Sequence, residues 1–187
     1  MNDTTQATPA FSRIMKAYAA LHPDLPGRLL GPAGDDGIAS FESETGVRLP
    51  GPVRALYLQA NGCSDGDGLF GGWEWLALDF VRDHLGELQM MLEADKPEEA
   101  EAATLVPLFH ASGDYLCIRY SELDGRLYYV PHEDLEIRPV AQSLDAFFAE
   151  IVARLASGAL EFIQYQTRRG PHFSVRPPNC DYWPPDF

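Results

Sequence analysis

The 187-residue chain is poor in cysteine: Cys63, Cys117 and Cys180 are odd in number, widely spaced and contain no CxxC pair. That pattern excludes a disulfide framework and a zinc ribbon. Basic residues are also scarce, with 14 Lys and Arg against 28 Asp and Glu and a formal charge of −14. Affinity for nucleic acid comes largely from Lys and Arg neutralising phosphates, so direct binding to DNA, RNA or an anionic bilayer is not expected. No run of about 18 apolar residues occurs anywhere. The opening MNDTTQATPAF lacks the basic start and apolar stretch of a secretory signal. The expectation is a cytoplasmic protein with no membrane segment.

Catalytic signatures are missing as well. There is no GxSxG and no HExxH, and the glycine-rich stretch DGDGLFGGWEW at 65–75 lacks the Lys-Ser/Thr ending of a phosphate-binding loop. Asp65 and Asp67 have the spacing of calcium-loop ligands, but the third oxygen ligand and the distal Glu are not in place. Asp-Gly pairs serve turns through their tolerance of positive φ, and a turn is the simpler reading. PHEDLE at 131–136 offers His132, Glu133 and Asp134, yet it falls in a predicted turn between strands, where polar residues are ordinary. The remaining histidines are scattered, and Cys117 reads as a small buried hydrophobe. No enzyme, metal site or cofactor is expected.

What is present is material for one core. Apolar residues make up 45% of the chain and aromatics 11%, which suits a packed globule of one domain's length. Thr8-Pro9 predicts a helix start, with Phe11, Ile14, Met15, Tyr18 and Leu21 on its inner stripe. A second helix is predicted from a cap at Asp36 to a stop at Gly46, and a third follows Pro50 with Val53, Leu56, Tyr57 and Ala60 inward. Phe80, Val81, Leu85, Leu88 and Leu92 recur near helical spacing, with Gly86 weakening the pattern. KPEEAEAA is a charged link.

The period then changes. LVPLF at 105–109, YLCIRY at 115–120 and RLYYVP at 126–131 predict three antiparallel strands joined by hairpins, with a fourth near 135–140. Ser143 caps a final amphipathic helix, whose inner residues are Leu144, Phe147, Phe148, Ile151, Val152 and Leu155, and Gly158 ends it. The last 24 residues hold five prolines. They read as an extension, either wrapped on the surface through Phe173, Tyr182, Trp183 and Phe187 or free.

Two features bear on function. From Pro32 to Glu101 there are fifteen acidic against four basic residues, a field that would steer a basic partner inward. Trp73 and Trp75 share one face of a predicted strand and Glu74 points the other way. Such a tryptophan pair serves either core packing or a binding hot spot.

The order of motifs resembles the SUKH superfamily, of the type related to the yeast cell-wall-assembly and glucan-synthesis regulator. The resemblance is carried by Ile38, Phe41 and Glu42, by Thr45-Gly46-Val47-Arg48-Leu49-Pro50, by Val53-Arg54-Ala55-Leu56-Tyr57 and by Asn61-Gly62. It continues through Trp73-Glu74-Trp75, Leu108-Phe109, Ser112 to Ile118, Tyr129-Val130 and His132-Glu133. It implies a single α+β domain with a central antiparallel sheet of about four to six strands flanked by helices, spanning 10–158 between an arm at 1–9 and a Pro-rich extension at 159–187. It also implies a protein-binding role without catalysis. Bacterial members resemble immunity proteins that neutralise a toxin, often a nuclease, and eukaryotic relatives resemble regulatory scaffolds of cell-wall signalling. The expected partner is a protein, a basic toxin foremost. The candidate contact residues are Asp65, Asp67, Glu74 and Asp114, with Trp73 or Trp75 as an apolar anchor.

Overall fold

A computed structural model describes residues 9–97, 104–168 and 170–182. Helix α1 (Pro9–Leu21) starts on the expected proline and buries Phe11, Ile14 and Tyr18. The expected cap Thr8 lies outside the described residues. The Ala10 amide donates instead to Asp145 Oδ1 at 3.0 Å, so tertiary structure satisfies one of the orphan donors of the first turn. Leu21, expected inward, is exposed where the helix gives way to His22-Pro23.

Helix α2 (Gly34–Thr45) begins two residues ahead of the predicted cap, which places Asp35 and Asp36 in its first turn, where the helix dipole favours negative charge. It ends at Gly46 in the left-handed conformation, φ 72°, whose N–H returns to the Glu42 carbonyl. Helix α3 (Gly51–Tyr57) follows Pro50 and buries Val53, Leu56 and Tyr57. Gly62 admits no other residue: its φ is 85°, and a Cβ would stand 2.6 Å from the Ala77 nitrogen. Beside it the Asn61 side chain accepts the Leu78 amide at 3.0 Å and so caps the next helix.

Strand β1 (Glu74–Trp75) is short and leads into α4 (Leu78–Asp95), which runs through the exposed Gly86 without a break. Val81, Leu88 and Leu92 face inward as predicted, but Phe80 is exposed, and Leu78, one turn before Val81, extends the inner stripe. Strands β2 (Leu105–Ala111), β3 (Asp114–Arg119), β4 (Leu127–Val130) and β5 (Arg138–Ala141) complete a five-stranded antiparallel sheet in the order β1-β2-β3-β4-β5. Ser112 at φ 52° and Gly113 at φ 94° make the tight turn from β2 to β3. Helix α5 (Leu144–Ser157) opens with Ser143 Oγ accepting the Ala146 amide at 3.1 Å and closes at Gly158, φ 75°.

Both faces of the sheet are covered, which explains why the strands read as nearly continuous apolar runs. Val106, Leu108, Leu116, Ile118 and Leu127 join the main core with α1 and α5. The alternate residues Leu105, Tyr115, Cys117, Tyr128 and Val130 pack with Leu88 and Leu92 of α4. At the centre of the main core Phe70 meets Phe109, Phe148 and Trp75 with ring centroids 5.6, 5.8 and 5.9 Å apart. The result is a single α+β domain with the helix-flanked antiparallel sheet that the sequence predicts.

Residues beyond α5 form a hairpin, β6 (Glu161–Thr167) and β7 (Gly170–Arg176). Of the residues expected to hold it, Phe173 is buried in the main core together with Val175, and Tyr182 packs on Trp73. Trp183 and Phe187 lie outside the described residues. Replacing Phe173 with Ala is expected to cost about 3 kcal/mol, the usual range for emptying a buried phenylalanine site. Urea denaturation should show this as a lowered midpoint of one cooperative transition; an unchanged midpoint would contradict the docking of the hairpin.

Candidate binding cleft

The glycine-rich loop is held from three sides. The fully buried Asp67 accepts Arg28 Nε at 2.5 Å through one oxygen and the Phe173 amide at 2.9 Å through the other. The Gly68 carbonyl accepts the Val175 amide at 2.9 Å and Ser174 Oγ at 3.2 Å. Cys63 Sγ accepts the Trp75 amide at 3.2 Å and donates to the Asp67 carbonyl at 3.3 Å. Burial pushes the Cys63 and Cys117 thiols up, away from the reactive thiolate.

A second buried carboxylate anchors the other end. Asp114 Oδ2 accepts the Tyr129 hydroxyl at 2.6 Å and the Tyr182 hydroxyl at 2.5 Å, while Oδ1 accepts the His132 amide at 2.9 Å and lies 2.6 Å from His132 Nδ1. Burial alone would raise this carboxyl, but the four hydrogen bonds outweigh it and hold it below the usual range. The hydrogen bond to Asp114 raises His132 in turn. Tyr182 also meets Trp73 edge-on at 4.9 Å, and a Cβ on Gly72 would collide with its Cα.

Between these anchors opens a cleft of about 500 Å³. Its walls are Gly66, Gly68 and Gly72 of the loop, His110 and Ser112 of the β2–β3 corner, Ile163, Tyr165, Ser174 and Arg176 of the hairpin, and Asp181 and Tyr182 beyond it. Glu74, paired with His110 in the register of β1 and β2, lines it as well. Burial is the main influence on the Glu74 carboxyl; the Gly66 amide and His172 oppose it, the charges of Asp65 and Asp67 reinforce it, and the net result lies near 7. The Arg176 guanidinium is engaged elsewhere, by Asp181 at 2.5 Å and the Cys180 carbonyl at 3.0 Å.

The six expected contact residues therefore separate. Asp65 is exposed and Glu74 is half-buried at the cleft. Asp67, Asp114, Trp73 and Trp75, expected at the surface as contacts, are all buried and engaged with the fold itself. Trp75 packs edge-on against Phe11 and Phe70, and Trp73 against Tyr129 and Tyr182. The alternation that sends both tryptophans inward is what turns Glu74 outward. Sequence reasoning missed the hairpin residues of the cleft, Tyr165 and Arg176. The period-two run of Phe162, Gln164 and Gln166 on one face with Ile163, Tyr165 and Thr167 on the other was the available signal. His132 is tied to Asp114, and among the described residues no three His, Cys, Asp or Glu side chains come together to hold a metal. No helix among them is long and apolar enough to cross a membrane.

Architecture and cleft together define an α+β domain whose polar chemistry is spent on holding loops and on one half-buried carboxylate. A family model described as SMI1 / KNR4 family (SUKH-1) matches residues 32–150. The chain belongs to that family. The match runs from α2 into α5, so it includes the glycine-rich loop and Glu74 and leaves out α1 and the β6–β7 hairpin. No curated protein matches the chain.

Because its folded-state value lies above the ordinary 4.5, ionised Glu74 weakens the fold. The stability tied to it is present below about pH 4.5 and is lost as pH rises to about 7. Glu74→Gln should therefore stabilise the protein at pH 8 by about 1 kcal/mol, discounted for solvent screening, and hardly at all at pH 4. Paired urea titrations at the two pH values measure the difference; equal effects at both would refute the strained carboxylate.

Proposed function

We propose that this protein is a non-catalytic binding domain of the cytoplasm that neutralises a basic protein toxin by covering its surface. Family membership supports a protein-binding role. The observation that carries the choice of a basic partner is the pair of packed helices α2 and α4. Asp35, Asp36, Glu44, Asp79, Asp83, Glu87, Glu93 and Asp95 are all exposed on them. Arg82 is the only Lys or Arg in either helix, and Glu44 holds it at 2.9 Å. A field of this sign speeds the capture of a cationic protein and repels nucleic acid, so the protein competes for the toxin and not for its substrate.

The alternative of a regulatory scaffold that docks through a separable tail loses support, because Phe173 and Val175 anchor that segment in the main core. Affinity capture from the native cell at low salt, followed by mass spectrometry, should return a protein of net positive charge. Reversing Asp65 and Asp79 to Lys should then slow association about tenfold at low salt and have little effect near 0.5 M salt, where the field is screened. An acidic partner, or rates indifferent to both charge and salt, would overturn the reading.

A further inference from the structure

We propose that the cleft beneath the glycine-rich loop receives a cationic side chain, arginine or lysine, from the protein partner, with the Glu74 carboxylate as its anchor. The proposal rests on the protein-binding reading above and names the contact within it.

The first support is what Glu74 lacks. It stands in a cleft of about 500 Å³, within the usual size of a ligand pocket, and among the described residues no Lys, Arg or His forms an ion pair with it. A half-buried carboxylate beside two further carboxylates, Asp65 and Asp67, is an incomplete electrostatic arrangement that an incoming cation completes. Asp67 is already neutralised by Arg28. Asp65 is exposed, and Asp181, also exposed, lines the cleft. Asp181 on the cleft wall is paired with Arg176, so these two charges offset each other.

The second support is the shape of the walls. Tyr165 and Tyr182 contribute aromatic surface of the kind that accepts a guanidinium or ammonium group. The loop side is backbone: a Cβ on Gly68 would meet the Gly72 carbonyl oxygen at 2.5 Å, and one on Gly66 would meet the His172 ring at 2.5 Å. The opposing charges are few. Arg176 is turned to Asp181 and the Cys180 carbonyl; burial keeps His110 below its ordinary value and so uncharged at neutral pH. Among the described residues, His172 is the remaining titratable group that acts on Glu74 in the opposite sense.

The cleft also adjoins the acidic helices. His110 on its rim stacks on His84 of α4 at 4.9 Å, and the neighbouring Tyr115 hydroxyl donates to Glu87 at 3.2 Å. A basic partner drawn to α4 is thereby delivered to the mouth of the cleft.

The test uses the full-length protein labelled with nitrogen-15 and Nα-acetyl-arginine amide as the probe, with the isosteric neutral citrulline amide and inorganic phosphate as controls. At pH 8 the arginine probe should shift the amides of Gly66, Gly72 and Ser112 saturably at about millimolar concentration. Binding should weaken about tenfold in Glu74→Gln, the magnitude of one charge-assisted contact, and by a similar factor in the parent protein at pH 5.5, where Glu74 is protonated. His172→Gln should keep that pH dependence. Equal shifts from citrulline, unchanged binding in Glu74→Gln, or shifts from phosphate alone would overturn the cation site. Full retention of a captured protein partner by Glu74→Gln overturns the cleft as a contact and leaves the binding role intact. Arginine-amide binding with no protein partner recovered overturns the binding role and leaves the cation site.

Discussion

The carboxylate of Asp67 is the constraint on which the functional end of the molecule depends. It is buried completely, and such a charge persists only when both oxygens are satisfied and a cation is at hand. Arg28 supplies the cation and the Phe173 amide the second bond, while the Arg28 guanidinium lies 5.0 Å from the centre of the Phe173 ring. One side chain thus fixes the loop after α1, the glycine-rich loop and β7 relative to one another. The cleft is the space between the glycine-rich loop, the hairpin with Asp181 and Tyr182 beyond it, and the β2–β3 corner.

Within that rigid frame Glu74 is the exception. Asp114 and Asp67 are buried more deeply, yet each is satisfied by hydrogen bonds and charge. Glu74 has the Gly66 amide and a weak influence from His172, set against burial and two like charges. Binding groups are commonly kept at some cost to stability, and a carboxylate left unneutralised where neutralisation would be simple fits that pattern. The acid row on α2 and α4 is different in kind. It is solvated, so it acts through long-range attraction, whereas Glu74 acts only on what enters the cleft.

The elements legible from sequence are those whose signals are local. Ser143 and Gly158 bracket α5, Gly46 closes α2, and the alternation at Trp73-Glu74-Trp75 assigns the carboxylate to the opposite side from the rings. The burial of the two aspartates was illegible for one reason, distance along the chain. Asp67 and Asp114 look like surface acids because their partners are remote: Asp67 bonds to Arg28 and Phe173, and Asp114 to Tyr182. The hairpin was hidden by composition. Five of the last 24 residues are proline, and Gln164, Tyr165 and Gln166 of β6 are exposed on both its faces, so its alternation lacks the apolar contrast that marks a strand.

That remoteness also sets an order of events during synthesis. Helix α1 is synthesised before α5 but packs on it and has its Ala10 amide capped by Asp145, so it waits for that helix before it is held. The cleft waits longer, since Arg176, Asp181 and Tyr182 complete it. A nascent chain halted before those residues would therefore carry its acidic helices without a finished pocket, and the pocket would form only once residues 176–182 had been added.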